Sequence, residues 1–285
     1  MWWKVIVVAV VVLTFVITLA IIYGTSRWQS VTRGLHAGME AARVPITPKS
    51  YDPNELEGLP APVQRYFHAV LKEGQPLVTA VSVEHTGTFN MSESGEQWKP
   101  FRSTQRVVTR RPGFVWDARI RMAPAMNVHV HDAYVRGQGI LTAKLFGLLT
   151  VMKQPNSPEL AHGELMRFFA EAAWYPTAFL PSQGVFWEAI DDNQARATFN
   201  DGTAGVTLVF QFDDNGLISS VRSDGRYREV DGEFVATPWQ GRFWNYELRD
   251  GMLIPLDGEV EWLLPEGSKP YWRGRIQRIE YEYAE

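Results

Sequence analysis

QRVVTRRPGFVWDARIRM, residues 105–122, reads as strand, turn, strand. Two β-rich runs are split by Arg111-Pro112-Gly113, a turn signal. Successive side chains on a strand point to opposite faces, so in the second run Phe114, Trp116, Ala118 and Ile120 share one face. Val115, Asp117, Arg119 and Arg121 share the other. The first face is apolar enough to turn inward, which places Trp116 on the concave side of the sheet this hairpin joins.

The same pattern continues outward in both directions. VSVEHTGTFNM (81–91) alternates before the hairpin, and MNVHVHDAYVRGQG (126–139) alternates after it, closed by Gly137 and Gly139. Further on, strands are punctuated by Asp214-Asn215-Gly216, Asp231-Gly232 and Asp250-Gly251, and YWRGRIQRIEYEYAE (271–285) supplies the last one. Strand signals every ~8–12 residues argue for an antiparallel sheet wound into a half-barrel or sandwich. One helix precedes the strands and another interrupts them. APVQRYFHAVLK (61–72) places Val63, Tyr66, Phe67 and Val70 on one face, with Pro60 and Pro62 at its entry and Gly74 after its end. SPELAHGELMRFFAEAAWYP (157–176) has Ser157 as N-cap and Pro158 at the first helical position. Its buried stripe is Leu165, Phe168, Phe169 and Ala172. Glu164, Arg167 and Glu171 line its other side, either as a solvated ion-pair ladder or as a polar cluster pointing into a cavity.

The chain starts MWWKVIVVAVVVLTFVITLAIIYG, uncharged from Val5 to Tyr23 and long enough to cross a ~30 Å hydrocarbon core. Trp2, Trp3, Tyr23 and Trp28 bracket the run as interfacial anchors. It is longer than a signal-peptide core and ends without Ala-x-Ala spacing, so it predicts a retained single-span anchor. Lys4 and the α-amine on one side and Arg27 and Arg33, then Arg43, on the other nearly balance, and charge alone does not orient it. The expected organisation is a transmembrane anchor at 1–25, a juxtamembrane connector at 26–60 without sustained period, and a β-rich domain at 61–285.

Composition narrows the function classes. Hydrophobic residues make up 45% of 285, enough for a large core, and a net charge of -4 leaves no general nucleic-acid footprint. There is no cysteine, which excludes disulfides, thiolate metal sites and cysteine nucleophiles. The 11 Trp suit core packing, membrane-proximal surfaces or wide apolar cavities. No Gly-x-Ser-x-Gly, Ser-x-x-Lys, His-Glu-x-x-His or Walker motif occurs, and Gly137-Gln-Gly139 lacks the third glycine of a dinucleotide loop. Asp191-Asp192 and Asp213-Asp214 sit in turn contexts. The weak metal candidates are His129 and His131, which share a strand face, with His162, Glu164 or Glu171 as further donors. No resident metal or other cofactor is expected. Arginines gather on the early strands (102, 106, 110, 111, 119, 121) and later ones (222, 226, 228, 242), as solvated edges or as a rim for anionic headgroups.

Residues 105–121 resemble the strand-turn-strand of LolA-type lipoprotein carriers, and VHDAYVRGQGIL resembles their next strand pair more loosely. The wider chain resembles an uncharacterised bacterial family of single-span membrane proteins. The landmarks are LPAPVQRYF, WKPFRSTQ, GFVWDAR, AEAAWYPTAFLP, TPWQGRFWNYE, GMLIPLDGEVEW and IQRIEYEY. The carrier resemblance implies a mainly β (α+β) fold: an antiparallel curved sheet or half-barrel, one or two covering helices, and an apolar ligand held between them. On this expectation the protein is a non-catalytic binder of a lipid-like ligand, anchored in the inner (cytoplasmic) membrane with its soluble domain extracytoplasmic. Its partners are membrane lipid and that ligand, not nucleic acid. Phe114, Trp116, Ile120, Phe168, Phe169, Trp239 and Phe243 are the expected ligand contacts. The competing readings are a scaffolding module and, further off, a metal-dependent hydrolase using His129 and His131.

Overall fold

The computed structural model describes residues 2–92 and 95–285. Helix α1 (Trp2–Glu40) leads to a short 3-10 turn (Pro53–Leu56) and helix α2 (Ala61–Val70). Six strands follow: β1 (Val78–Asn90), β2 (Trp98–Val108), β3 (Gly113–Ala123), β4 (Met126–Val135), β5 (Gln138–Leu145) and β6 (Leu149–Gln154). Helix α3 (Pro158–Ala170) and three 3-10 turns between Glu171 and Gln183 lead to the second set. That set is β7 (Phe186–Ala189), β8 (Gln194–Asp201), β9 (Ala204–Phe212), β10 (Ile218–Val230), β11 (Glu233–Arg249), β12 (Met252–Leu264) and β13 (Gly267–Tyr283).

All thirteen strands form one antiparallel sheet in the order β6-β5-β4-β3-β2-β1-β13-β12-β11-β10-β9-β8-β7. Two meanders are joined where the first strand meets the last, Val83 opposite Ile279 and Phe89 opposite Trp272. The sandwich alternative is therefore excluded. Since β6 and β7 are opposite edges, the segment carrying α3 has to cross the concave face, and the sheet curls around it. Tyr134 of β4 donates to Asp201 of β8 at 2.9 Å, and Gln154 of β6 donates to Glu229 of β10 at 2.8 Å. Gly139 lets α3 lie directly on β5: a Cβ there would fall 2.7 Å from the Ala161 nitrogen.

The core fills the concavity. Val63, Tyr66, Phe67 and Val70 of α2 are all fully buried, each contributing about 1.5–3 kcal/mol. Ser157 caps α3 by accepting from the Leu160 amide, as its sequence position predicts. Phe168 and Phe169 stack on Phe199, with centroids 5.9 and 5.3 Å away.

Helix α1 departs from expectation. It does not give way to an irregular connector near residue 25 but continues for 39 residues to Glu40. Its last four turns lie on the convex face, where Leu35 and Met39 pack against Ala80, Val108, Val115 and Ala133, and Trp28 and Thr32 meet His131 and Asp117. Ile46, Tyr51 and Leu56 are also buried in the core, so the proline-rich stretch packs rather than tethers. The first half of α1 is apolar and unburied, the one helix among the described residues long and apolar enough to cross a membrane.

Candidate functional site

On the concave side, α3 turns its charged side inward. Glu164 is 4% exposed, and the Arg167 and Glu171 side chains are 14% and 13% exposed. Of the two readings of this helix side, the interior polar cluster is the one observed. Arg167 donates through Nε to Glu171 at 2.7 Å, through Nη1 to Asp132 at 2.6 Å and through Nη2 to Gln105 Oε1 at 3.1 Å. Gln105 Nε2 donates to Glu171 Oε2 at 2.6 Å and closes the ring. The guanidinium also lies over Phe114 and Trp116, 4.7 and 5.3 Å from their centroids. Its two carboxylates hold Arg167 firmly protonated despite burial. Burial first, and the neighbouring Asp132 carboxylate second, push Glu164 well above the usual carboxylate range. The Arg226 guanidinium stands 3.8 Å from the Glu164 carboxyl.

Beside this cluster opens an aromatic cleft of about 90 Å³. Trp116, Trp174 and Trp239 form its walls, with Arg167 and Glu171 at its floor. Half-buried Phe89, Phe243, Tyr271 and Trp272 ring its mouth. Trp239 Nε1 donates to the Tyr271 hydroxyl at 2.9 Å, which fixes both rings. Several buried polar atoms in and behind the wall have no hydrogen-bond partner among the described residues: Trp116 Nε1, Trp174 Nε1, His85 Nε2 and Asp132 Oδ1. His85, buried between Trp174 and Trp272, is pushed down to about 3 by loss of solvent and so stays neutral. Buried groups of this kind normally find partners, so the wall offers two indole donors to an incoming acceptor.

The mouth has a definite position. Met39 of α1 lies at Gly113, where β3 begins, and Trp28 lies at Asp117, further along β3. The helix therefore runs antiparallel to β3, and its apolar half leaves at the end of the sheet where β3 turns into β4. Phe89 near the end of β1, and its partner Trp272 near the start of β13, stand at that same end.

The seven expected contacts divide. Trp116, Trp239 and Phe243 line the cleft. Phe114 lies beneath Arg167, Ile120 is packed in the core, and Phe168 and Phe169 belong to the Phe199 stack; none of these four reaches the cleft. Arg167, Arg226, Trp174, Tyr271 and Trp272 also line the cleft, outside the expected contacts; their sequence signals are the 164-167-171 spacing, which leaves two readings open, and the grouping of Arg226 with the later-strand arginines.

The histidine pair lies on the other face of the sheet. His131 is covered by the Trp28 indole, and its Nε2 lies 2.7 Å from the Thr32 hydroxyl. That hydroxyl is 3.1 Å from Asp117 Oδ2, while Trp28 Nε1 donates to Asp117 Oδ1 at 2.9 Å. Helix α1 thus occupies the space in front of His131. His162, Glu164 and Glu171 belong to the concave-side helix, and no group of three metal-ligating side chains converges among the described residues. The arginines are mostly engaged. Arg106 bridges Glu40 and Glu282, Arg110 donates to the Gln183 carbonyl, Arg226 faces Trp239, and Arg242 pairs with Glu261.

No curated protein matches the sequence. Among solved structures, a lipoprotein-sorting protein domain from Vibrio parahaemolyticus aligns at 9% identity and TM-score 0.36, over 71% of this chain and 85% of its own. A LolA superfamily protein from Nitrosomonas europaea aligns at 11% and 0.31, over 87% and 93%. A β-barrel-like protein of another domain of unknown function, from Brucella abortus, aligns at 12% and 0.23, over 72% and 99%. The family described as being of unknown function, DUF6920, matches residues 57–281. This span runs from the turn before α2 to the end of β13, the whole curled sheet with its crossing helix, and the chain belongs to that family.

Proposed function

We propose that the protein is a membrane-anchored, non-catalytic binder of an apolar, lipid-like ligand. The observation that carries this reading is the aromatic cleft whose mouth stands at the end of the sheet from which the apolar half of α1 departs. A ligand drawn from the bilayer would meet Phe89, Phe243 and Trp272 first. The charges in the cleft balance, Arg167 and Arg226 against Asp132 and Glu171, so they favour an uncharged polar end. The free indole N–H groups of Trp116 and Trp174 favour a hydrogen-bond acceptor on that end, such as an ester or hydroxyl oxygen.

The cleft is smaller than the ~300 Å³ of an ordinary small-molecule pocket, so it suits the end of a chain, with the remainder lying along the mouth. That same small volume favours the second reading, a scaffold whose aromatics serve only as core. Membrane attachment is part of this reading and is supported by the apolar first half of α1, which runs unbroken into the turns packed on the sheet. We place the sheet domain on the extracytoplasmic side of the inner membrane. Mass spectrometry of lipid retained by the detergent-extracted full-length protein tests the function. Stoichiometric retention of one lipid class supports a binder; an empty protein supports the scaffold. A reporter fused after Glu285 that works only in the cytoplasm would reverse the placement.

A further inference from the structure

A second groove, of about 220 Å³, lies on the convex face, between α1 and the β5–β6 hairpin. Arg27, Lys144 and Lys153 all line it, and no Asp or Glu does. None of the three cations has a carboxylate partner among the described residues; Arg27 donates only to the Tyr23 hydroxyl, at 3.4 Å. Some other surface cations do have such partners, as Arg273 has Glu259 and Arg275 has Asp257. An unbalanced trio in one groove is a site for an anion.

Its location identifies the anion. Arg27 stands one helical turn beyond Tyr23, where the uncharged run ends. Gly24 touches the hairpin tip so closely that a Cβ there would fall 2.5 Å from Leu148 Cγ. The hairpin's edge strand exposes Leu149, Val151 and Met152, apolar side chains beside a helix that is itself apolar on every side. Apolar side chains next to cations, at the exit of a membrane-spanning helix, are what a headgroup region accommodates. We infer that Arg27, Lys144 and Lys153 bind the phosphate of an anionic phospholipid in the leaflet where α1 emerges, with the β5–β6 edge resting on the bilayer. This site is separate from the concave cleft, and it rests on the reading of α1 as a membrane span.

The test uses full-length protein reconstituted in phosphatidylcholine bilayers, comparing its association with spin-labelled phosphatidylglycerol and spin-labelled phosphatidylcholine. The expected result is a preference for phosphatidylglycerol that falls about fivefold for each cation removed in Lys144→Gln and Lys153→Gln. Trp116→Ala, altered only in the concave cleft, should keep the full preference. An unchanged preference in the lysine variants overturns the site. So does loss in Trp116→Ala with retention in the lysine variants, which would put the lipid in the cleft. Inorganic phosphate that abolishes the preference, where chloride of equal ionic strength does not, would mark a free-anion site and overturn the lipid assignment. Extraction of the protein by alkaline carbonate would refute the membrane span separately from the site.

Discussion

The Trp28 indole lies flat on the His131 imidazole, with centroids 3.7 Å apart and planes 12° from parallel. One ring belongs to the helix that carries the apolar run and the other to β4, the third strand from one edge of the sheet. Their contact, with the Asp117 and Thr32 hydrogen bonds around it, makes a rigid joint between α1 and the β domain. Trp28→Ala removes a packed aromatic only 2% exposed and should cost about 3–5 kcal/mol. Amide exchange across residues 28–40 should accelerate far more than exchange in β11–β13. Equal protection in both regions would show that α1 is not held by this contact.

The joint should weaken in acid. Burial pushes His131 from 6.5 to about 4, the Asp117 carboxylate opposing this and His36, His129 and Lys144 adding to it. Burial lowers His36 and His129 in the same direction. From about pH 6.5 down to about 4 the unfolded chain therefore binds more protons than the folded one, and stability falls as pH falls through that window. A tenfold difference in proton affinity between the folded and unfolded chain is worth about 1.4 kcal/mol per group. Thermal midpoints that stay flat between pH 7 and 4.5, or rise, would contradict this.

On the concave side, Arg167→Met leaves Asp132 and Glu171 facing each other without their shared cation. Removing one partner of a buried charge cluster costs about 3–5 kcal/mol. Denaturant melts at pH 7.5 check this, and a variant as stable as the wild type would mean that Asp132 and Glu171 do not need Arg167.

Much of this architecture is legible in the sequence, for definite reasons. The alternation in 105–122 fixes which side chains of β3 face inward, and Arg111 does adopt positive φ at the turn, 45°. The four-residue stripe of α2 is found fully buried. Periodicity fails in two places. The stripe Trp28, Thr32, Leu35, Met39 is diluted by polar side chains because its contacts are partly hydrogen bonds, so it does not read as amphipathic. Glu164, Arg167 and Glu171 carry the spacing of a solvent-facing ladder, and only the wrapping of the sheet around α3 turns them inward. That wrapping depends on β1 pairing with β13, a contact between distant segments that no local pattern encodes.

Trp116→Ala separates a cleft from a core. Its ring stands 5.6 Å from Phe101 but borders open space on the cleft side. The variant should therefore lose less than the ~3–5 kcal/mol expected for a fully packed aromatic, and should lose retained lipid to a greater extent. A large drop in thermal midpoint with no change in lipid would favour the scaffold.

The most direct measurement fills the cleft rather than emptying it. Gly258 lines it, and a Cβ there would stand 3.4 Å from the Arg242 carbonyl oxygen, 3.6 Å from Trp272 Cζ3 and 3.8 Å from Phe243 Cδ1. Gly258→Leu should insert a branched side chain into the cleft without removing any neighbour, at a stability cost of no more than about 1–3 kcal/mol. Binding of a fluorescent acyl-chain probe to the detergent-solubilised full-length protein is then measured for both forms. A cleft that holds apolar ligand predicts saturable binding to the wild type and at least about tenfold weaker binding to a folded Gly258→Leu. Equal binding by the two, or none by the wild type, would contradict it.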